Sequence, residues 1–276
     1  MGTYPVPGSH ARDRCSIPSA MTSSVSSSGR AVLVTGASRG IGAAVAHAFA
    51  ANGDRVGVHY GASAAQAEQV LATLDGEGHC LVQADLMDPA AIKAAVDDAG
   101  EQLGRIDILV NNAGIFFPHP IQEVDYQTWQ QAWQQTIGIN LIGAANVAWC
   151  ALQHMPRTNG SRIINIGSRG AFRGEPKNPA YGASKAAIAA FGQSIAKALG
   201  SQGIAVTTLA PGFVETDMAA DELAGPRGAE IRAQSPFDRV PSPQEVAEAV
   251  LYLASPGAEW ASGSVLDFNG ASYFRL

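Results

Sequence analysis

The sequence predicts a single α/β domain, a doubly wound parallel sheet of about seven strands with helices on both faces. Three observations carry that expectation. Short β-branched runs alternate with helical stretches along nearly the whole chain. The first such run leads directly into a glycine-rich turn. Finally, no composition break and no internal repeat divides the body into two units.

The elements follow in order. AVLVT (31–35) is the first strand, followed by glycines and the helical stretch IGAAVAHAFAANG (41–53). RVGVHY (55–60) is the second strand and AEQVLATL (67–74) lies on the next helix. HCLVQAD (79–85), PAAIKAAVDDAGEQLG (89–104) and IDILVNN (106–112) continue the alternation. Helices around 140–155 and 180–199 flank SRIINIGS (161–168), and IAVTTLAPG (204–212) and SVLDFNG (264–270) complete the sheet. Right-handed crossovers between such units put helices on both faces. Residues 1–29, rich in Ser, Pro and Gly and without hydrophobic periodicity, read as a disordered leader to the domain at 30–276. The leader has no apolar signal core, and organelle import through it is the one targeting alternative.

Composition narrows the function classes. A chain of 276 residues, 46% hydrophobic and 15% charged, is a compact protein able to bury a full core. A net charge of −6 without a dense basic block argues against general nucleic-acid binding. No apolar run approaches the ~20 residues of a spanning helix, so no membrane partner is expected. Cys15, Cys80 and Cys150 are widely spaced, and neither they nor the six histidines form a metal-ligand pattern. No metal site is expected, and free thiols fit a reducing, cytoplasmic setting.

Two stretches carry chemistry. TGASRGIG (35–42) sets Gly36, Gly40 and Gly42 between a strand and a helix, where bare backbone can approach a pyrophosphate and helix N–H groups point at it. NPAYGASKAA (178–187) places Tyr181 and Lys185 one helical turn apart on one face. An ammonium there would favour the tyrosinate and lower its pKa from about 10, which suits a general acid or base. Taken alone, the pair reads more readily as a packed phenol beside a solvated helix charge, since such short coincidences are common.

These motifs, with NNAG (111–114), GINLIG around Asn140, INIGS ending in Ser168, and LAPG (209–212) before Thr216, resemble the short-chain dehydrogenase/reductase family over nearly all of 30–276. Its 3-oxoacyl-carrier-protein reductase-like members are the nearest. The resemblance implies a Rossmann-type fold and a catalytic set of Asn140, Ser168, Tyr181 and Lys185. Tyr181 would exchange the proton, Lys185 would lower its pKa and bind the nicotinamide ribose, Ser168 would hold the substrate oxygen, and Asn140 would anchor a relay water. It further implies cofactor contacts from Gly36, Ser38, Arg39, Gly40, Ile41, Gly42, Tyr60, Ser63, Asp85, Leu86, Asn112, Ala113, Gly114, Tyr181, Lys185, Pro211, Gly212 and Thr216. Trp133 fits the family's tryptophan seven residues before the asparagine, whereas Trp129 looks like an added helical turn, which leaves helix boundaries there open.

The second strand ends in VHYGAS (58–63) without the acid that binds a ribose 2′-OH, and Arg39 lies where a 2′-phosphate would sit. The expected cofactor is therefore NADP (NADPH). The expected reaction is hydride transfer between it and a carbonyl or secondary alcohol, with a 3-oxoacyl thioester as one candidate substrate. The alternative is a catalytically idle NADP-binding sensor or scaffold. Residues 213–242 read as a substrate lid, and Arg169, Arg173 and Lys177 either attract an anionic substrate or are solvated loop charges. By analogy with relatives, a homotetramer, or at least a homodimer, is expected.

Overall fold

The computed structural model describes residues 29–157 and 160–275, so Cys15 and almost all of the expected leader lie outside the described residues. Seven parallel strands form one sheet in the order β3-β2-β1-β4-β5-β6-β7. They are β1 (Ala31–Val34), β2 (Arg55–Tyr60), β3 (Cys80–Gln83), β4 (Ile108–Asn111), β5 (Ser161–Ile166), β6 (Ile204–Pro211) and β7 (Val265–Phe268). Strand order reverses at β1, which pairs with β2 on one side and β4 on the other. The crevice beyond the carboxyl ends of β1 and β4 is thus the topological switch point, where open α/β sheets bind ligands.

The strands are apolar on both faces because helices cover both. From β1, Val32 and Val34 enter one core with Val45, Phe49, Val246 and Val250. These come from α1 (Gly40–Ala51) and α10 (Pro243–Leu253). Leu33 faces the other way, into a core with Ile92, Leu103, Leu109, Val147 and Ile163. The helices on that side include α3 (Pro89–Leu103) and α7 (Pro179–Leu199). The remaining helices are α2 (Ala64–Ala72), α4 (Tyr126–Ile137), α5 (Ala144–Leu152), α6 (Gly170–Arg173), α8 (Asp217–Ala224) and α9 (Gly228–Ala233).

Local chemistry explains the helix ends. Asp88 accepts hydrogen bonds from the Ala90 and Ala91 N–H groups and Pro89 opens α3, while Gly104 closes it in a left-handed conformation. Ser242 and Glu245 form a capping box on α10. α4 and α5 join through a π segment, Gly138–Gly143, that carries Asn140. Glutamine-rich and apolar turns thereby become one helix, Tyr126–Leu152, longer than any apolar run in the sequence. Its most apolar 18-residue window has a mean hydropathy of 1.2, yet half of that window is buried inside the fold, as in a core helix. The added turn packs: the Trp129 ring lies 5.7 Å from that of Trp133 and 5.6 Å from His119.

Candidate active site

At the switch point the chain after β1 turns sharply into α1. Gly36 has φ +63°, and a Cβ there would lie 2.8 Å from the Ala113 backbone. At Gly42 a Cβ would lie 2.2 Å from the Gly36 carbonyl oxygen, so only glycine lets the helix approach the turn so closely. Asn112 clamps the turn to β4: its Nδ2 donates to the Thr35 and Gly36 carbonyls at 2.9 and 3.1 Å. The Arg39 N-cap residue is extended and makes no side-chain cap, so the first N–H groups of α1 keep their donors. The Arg39 side chain is exposed and makes no hydrogen bond or ion pair with another described residue.

Gly36, Arg39, Gly40 and Asn112 border a cavity of about 540 Å³. Ser38, Ile41, Ser63, Asp85 and Leu86 line it, as do Ala113, Gly114, Pro211, Gly212 and Thr216. Asp85 turns one carboxylate oxygen to its own loop, accepting from the Met87 N–H at 2.9 Å.

Tyr60 does not line this cavity; its side chain packs against the core shared by α1 and α10. The neighbouring His59 lines it instead. Successive side chains alternate across a strand, and the register puts His59, not Tyr60, on the ligand side. His59 Nδ1 accepts the Gly36 N–H at 3.1 Å, and its carbonyl accepts the Ala37 N–H at 2.8 Å. Burial pushes its pKa down to about 4, so the ring is neutral with its proton on Nε2. That Nε2 is buried, with the Ala84 backbone beside the ring. Unused helix N–H groups and a free guanidinium form a donor set that fits an anionic dinucleotide.

Further along the cavity, Ser168 follows β5, and its Oγ accepts the Gly170 N–H at 3.0 Å. Tyr181 sits on the first turn of α7 and Lys185 on the second. The Phe116 ring meets Tyr181 edge-on at 5.0 Å. Lys185 Nζ donates to the Ile166 carbonyl at 2.7 Å and lies 5.6 Å from the Tyr181 ring centre. The expected lowering of the tyrosine pKa is not what the protein alone produces. Burial raises it to about 12, against a smaller opposing effect of the hydrogen bond with Ser168. Burial also brings Lys185 down to about 8. Loss of water outweighs the ammonium, which faces the ring and not the phenol oxygen.

Asn140 and Gly42 do not line the cavity; both lie behind its wall. Asn140 Oδ1 accepts the Ile115 N–H at 2.8 Å, and Nδ2 donates to the Ile115 carbonyl and to Ser184 Oγ at 3.0 and 3.1 Å. Both amide hydrogens are thus engaged, and the side chain ties the loop after β4 to the catalytic helix. His119 does similar work from farther along that loop, its Nε2 accepting the Ala180 N–H at 3.1 Å. No local motif marks His119 or His59, since both act on backbone groups distant in sequence.

The segment 213–242 holds the short helices α8 and α9, whose Ala219, Leu223 and Ile231 form a small core of their own with Val240. Of the three loop cations, Arg173 and Lys177 are exposed and Arg169 is buried.

Comparison with known proteins agrees with this geometry. The short chain dehydrogenase family model matches residues 30–226. The 3-oxoacyl-[acyl-carrier-protein] reductase FabG of Escherichia coli K12 is 37% identical over 246 residues, covering 89% of this chain and 98% of the relative. The enzyme of the same name from Staphylococcus aureus Mu50 is 34% identical, covering 88% and 98%. Among solved structures, a dehydrogenase/reductase from Sinorhizobium meliloti superposes with a TM-score of 0.82 at 32% identity, covering 90% of this chain and 96% of the other. A short chain dehydrogenase from Burkholderia cenocepacia in complex with NADP gives 0.80 at 34%, covering 89% and 98%. With the family model spanning well over half its length, this chain belongs to the short-chain dehydrogenase family.

Proposed function

We propose that this protein is an NADP-dependent oxidoreductase that interconverts a carbonyl and a secondary alcohol, with Tyr181 as the proton donor and acceptor. The observation that carries this reading is the meeting of Ser168, Tyr181 and Lys185 on one cavity that begins at the glycine turn. Bound there, NADPH supplies the hydride. The chain's own residues handle the oxygen and its proton. Ser168 Oγ, fixed by the Gly170 N–H, is placed to hold the substrate oxygen and steady its developing charge. Tyr181, held protonated by burial, carries the proton that this oxygen needs. Lys185, anchored on Ile166, supplies positive charge under the Tyr181 ring and keeps it in place. Arg39, free and exposed at the start of α1, is the group for a 2′-phosphate, and no acid stands between Val58 and Ser63 to prefer a 2′-OH.

A 3-oxoacyl thioester is the substrate that the curated relatives' names favour. The helix Tyr126–Leu152 exposes Ile142 and Trp149, seven residues apart on one face, which supports pairing of this helix with a second copy in a dimer or tetramer. Cys80 and Cys150 are buried free thiols, in keeping with a reducing cytoplasm. Titration with NADPH, followed by a carbonyl panel that includes a 3-oxoacyl thioester, tests the reaction. Tight NADPH binding with no turnover of any carbonyl would overturn it. Sedimentation at micromolar concentration tests the assembly, and a monomer would overturn that.

A further inference from the structure

Next to Ser168 in the chain lies a buried cation that the reaction chemistry does not use. Arg169 is only 3% exposed. It stands between the main cavity and a second one of about 250 Å³, lining both together with Phe213. Its N–H donates to the Pro211 carbonyl at 2.8 Å, which seats it at the carboxyl ends of β5 and β6. Nη1 donates to Ser272 Oγ at 2.5 Å and Nη2 to Gln234 Oε1 at 2.7 Å, and the guanidinium lies 5.2 Å over the Phe213 ring.

Both acceptors are neutral. No carboxylate forms an ion pair with Arg169 among the described residues, whereas the cations and acids around it are paired with one another. Arg173 is with Glu175, Arg227 with Glu222, Arg239 with Glu245, and Arg275 with Asp267. Burial, reinforced by Arg173 and opposed in smaller measure by Glu175, lowers the Arg169 pKa to about 10, so the group is still charged at neutral pH. A guanidinium has five N–H donors, of which Ser272 and Gln234 take one each. A buried charge is costly unless an opposite charge meets it, and a planar guanidinium matches a carboxylate through two parallel hydrogen bonds.

We propose that Arg169 anchors a carboxylate carried by the substrate, so that the preferred carbonyl compound is an oxo acid and not a neutral ketone. The inference rests on the reading of Ser168 and Tyr181 as the reducing site, and it departs from the 3-oxoacyl thioester of the relatives' names, whose acyl chain carries no carboxylate. Its rival is a purely structural arginine that clamps Gln234 and Ser272 to the sheet. The two differ in one observable, the ratio of acid to ester.

A graded series of straight-chain oxo acids and their methyl esters is titrated into the protein–NADPH complex, followed by NADPH fluorescence, and the same compounds are assayed for turnover. The expected result is an acid of one length bound at least about tenfold more tightly than its ester, the scale of one charge-assisted hydrogen bond. Arg169→Met should bring that ratio to about one, and Arg169→Lys should restore part of it. Equal binding of acid and ester by the wild type overturns the proposal, as does a ratio unchanged in Arg169→Met while both ligands weaken. The wild-type ratio decides alone if the variants do not fold. Charge-selective binding without turnover of either compound would sink the reduction reading and leave the anion site standing. Turnover of acid and ester alike would do the reverse.

Discussion

Lys185 Nζ lies under the Tyr181 ring, 5.6 Å from its centre, and its 2.7 Å hydrogen bond goes to the Ile166 carbonyl. The lysine therefore fixes α7 against the end of β5 and presents charge to the ring face. The tyrosine, buried and raised to about 12, enters the reaction as a protonated acid.

Removing that proton should stop catalysis with little structural cost. Tyr181→Phe keeps the edge contact with Phe116 but loses the hydroxyl. Turnover should fall by about a hundredfold or more, the usual range for loss of a general acid, with NADPH binding within a few-fold of wild type. Steady-state rates beside a fluorescence titration check this, and retention of more than about a tenth of the rate would refute the role.

Cofactor choice should follow Arg39. A charge-assisted hydrogen bond contributes roughly 1.5–3 kcal/mol, or about ten- to a hundredfold in preference. Arg39→Ala should raise the KM for NADPH by that order and leave the KM for NADH nearly unchanged. Because Tyr60 faces the core, an acid installed at Gly61, which lines the cavity, is the change expected to favour NADH. Better use of NADH by the wild type would contradict both expectations.

His59 should make the fold acid-sensitive. Its pKa falls from 6.5 to about 4 on folding, so the unfolded chain binds the proton more readily between those values. Stability from this group is full above pH 6.5 and is lost as pH falls towards 4, by about 2 kcal/mol at pH 5. His59→Asn retains an acceptor for the Gly36 N–H without titrating. The loss of Tm between pH 7 and pH 5 should be smaller in the variant than in wild type, and an equal loss would refute the assignment.

His119 should support the catalytic helix from outside the cavity. It is fully buried, with Nδ1 at 2.6 Å from the Phe117 carbonyl and Nε2 on the Ala180 N–H, one residue before Tyr181. His119→Ala leaves both backbone groups without these partners, which costs about 1–3 kcal/mol. Thermal melting should show the loss, and kcat should drop more than NADPH affinity. Unchanged melting would show that water replaces the imidazole.

What was legible in the sequence is what depends on neighbours along the chain. Alternating β-branched and helical runs reveal the seven strands, because a sheet buried on both faces needs apolar side chains at every position. The glycine turn and the Tyr181–Lys185 pair are local in the same sense, one a backbone geometry and the other a helical spacing.

Tertiary structure decided the rest. His59 and Tyr60 suit a strand equally well, and only the seating of β2 against the glycine turn assigns one to the cavity and the other to the core. Nothing around GINLIG announces the π segment, whose carbonyls shift where Asn140 bridges Ile115 and Ser184. A loop arginine normally reads as solvated, yet Pro211, Gln234 and Ser272 converge on Arg169 from three distant parts of the chain and leave it 3% exposed. The same reason reverses the tyrosine pKa: spacing sets its distance from the lysine, but burial depends on the whole fold, and desolvation is the larger effect.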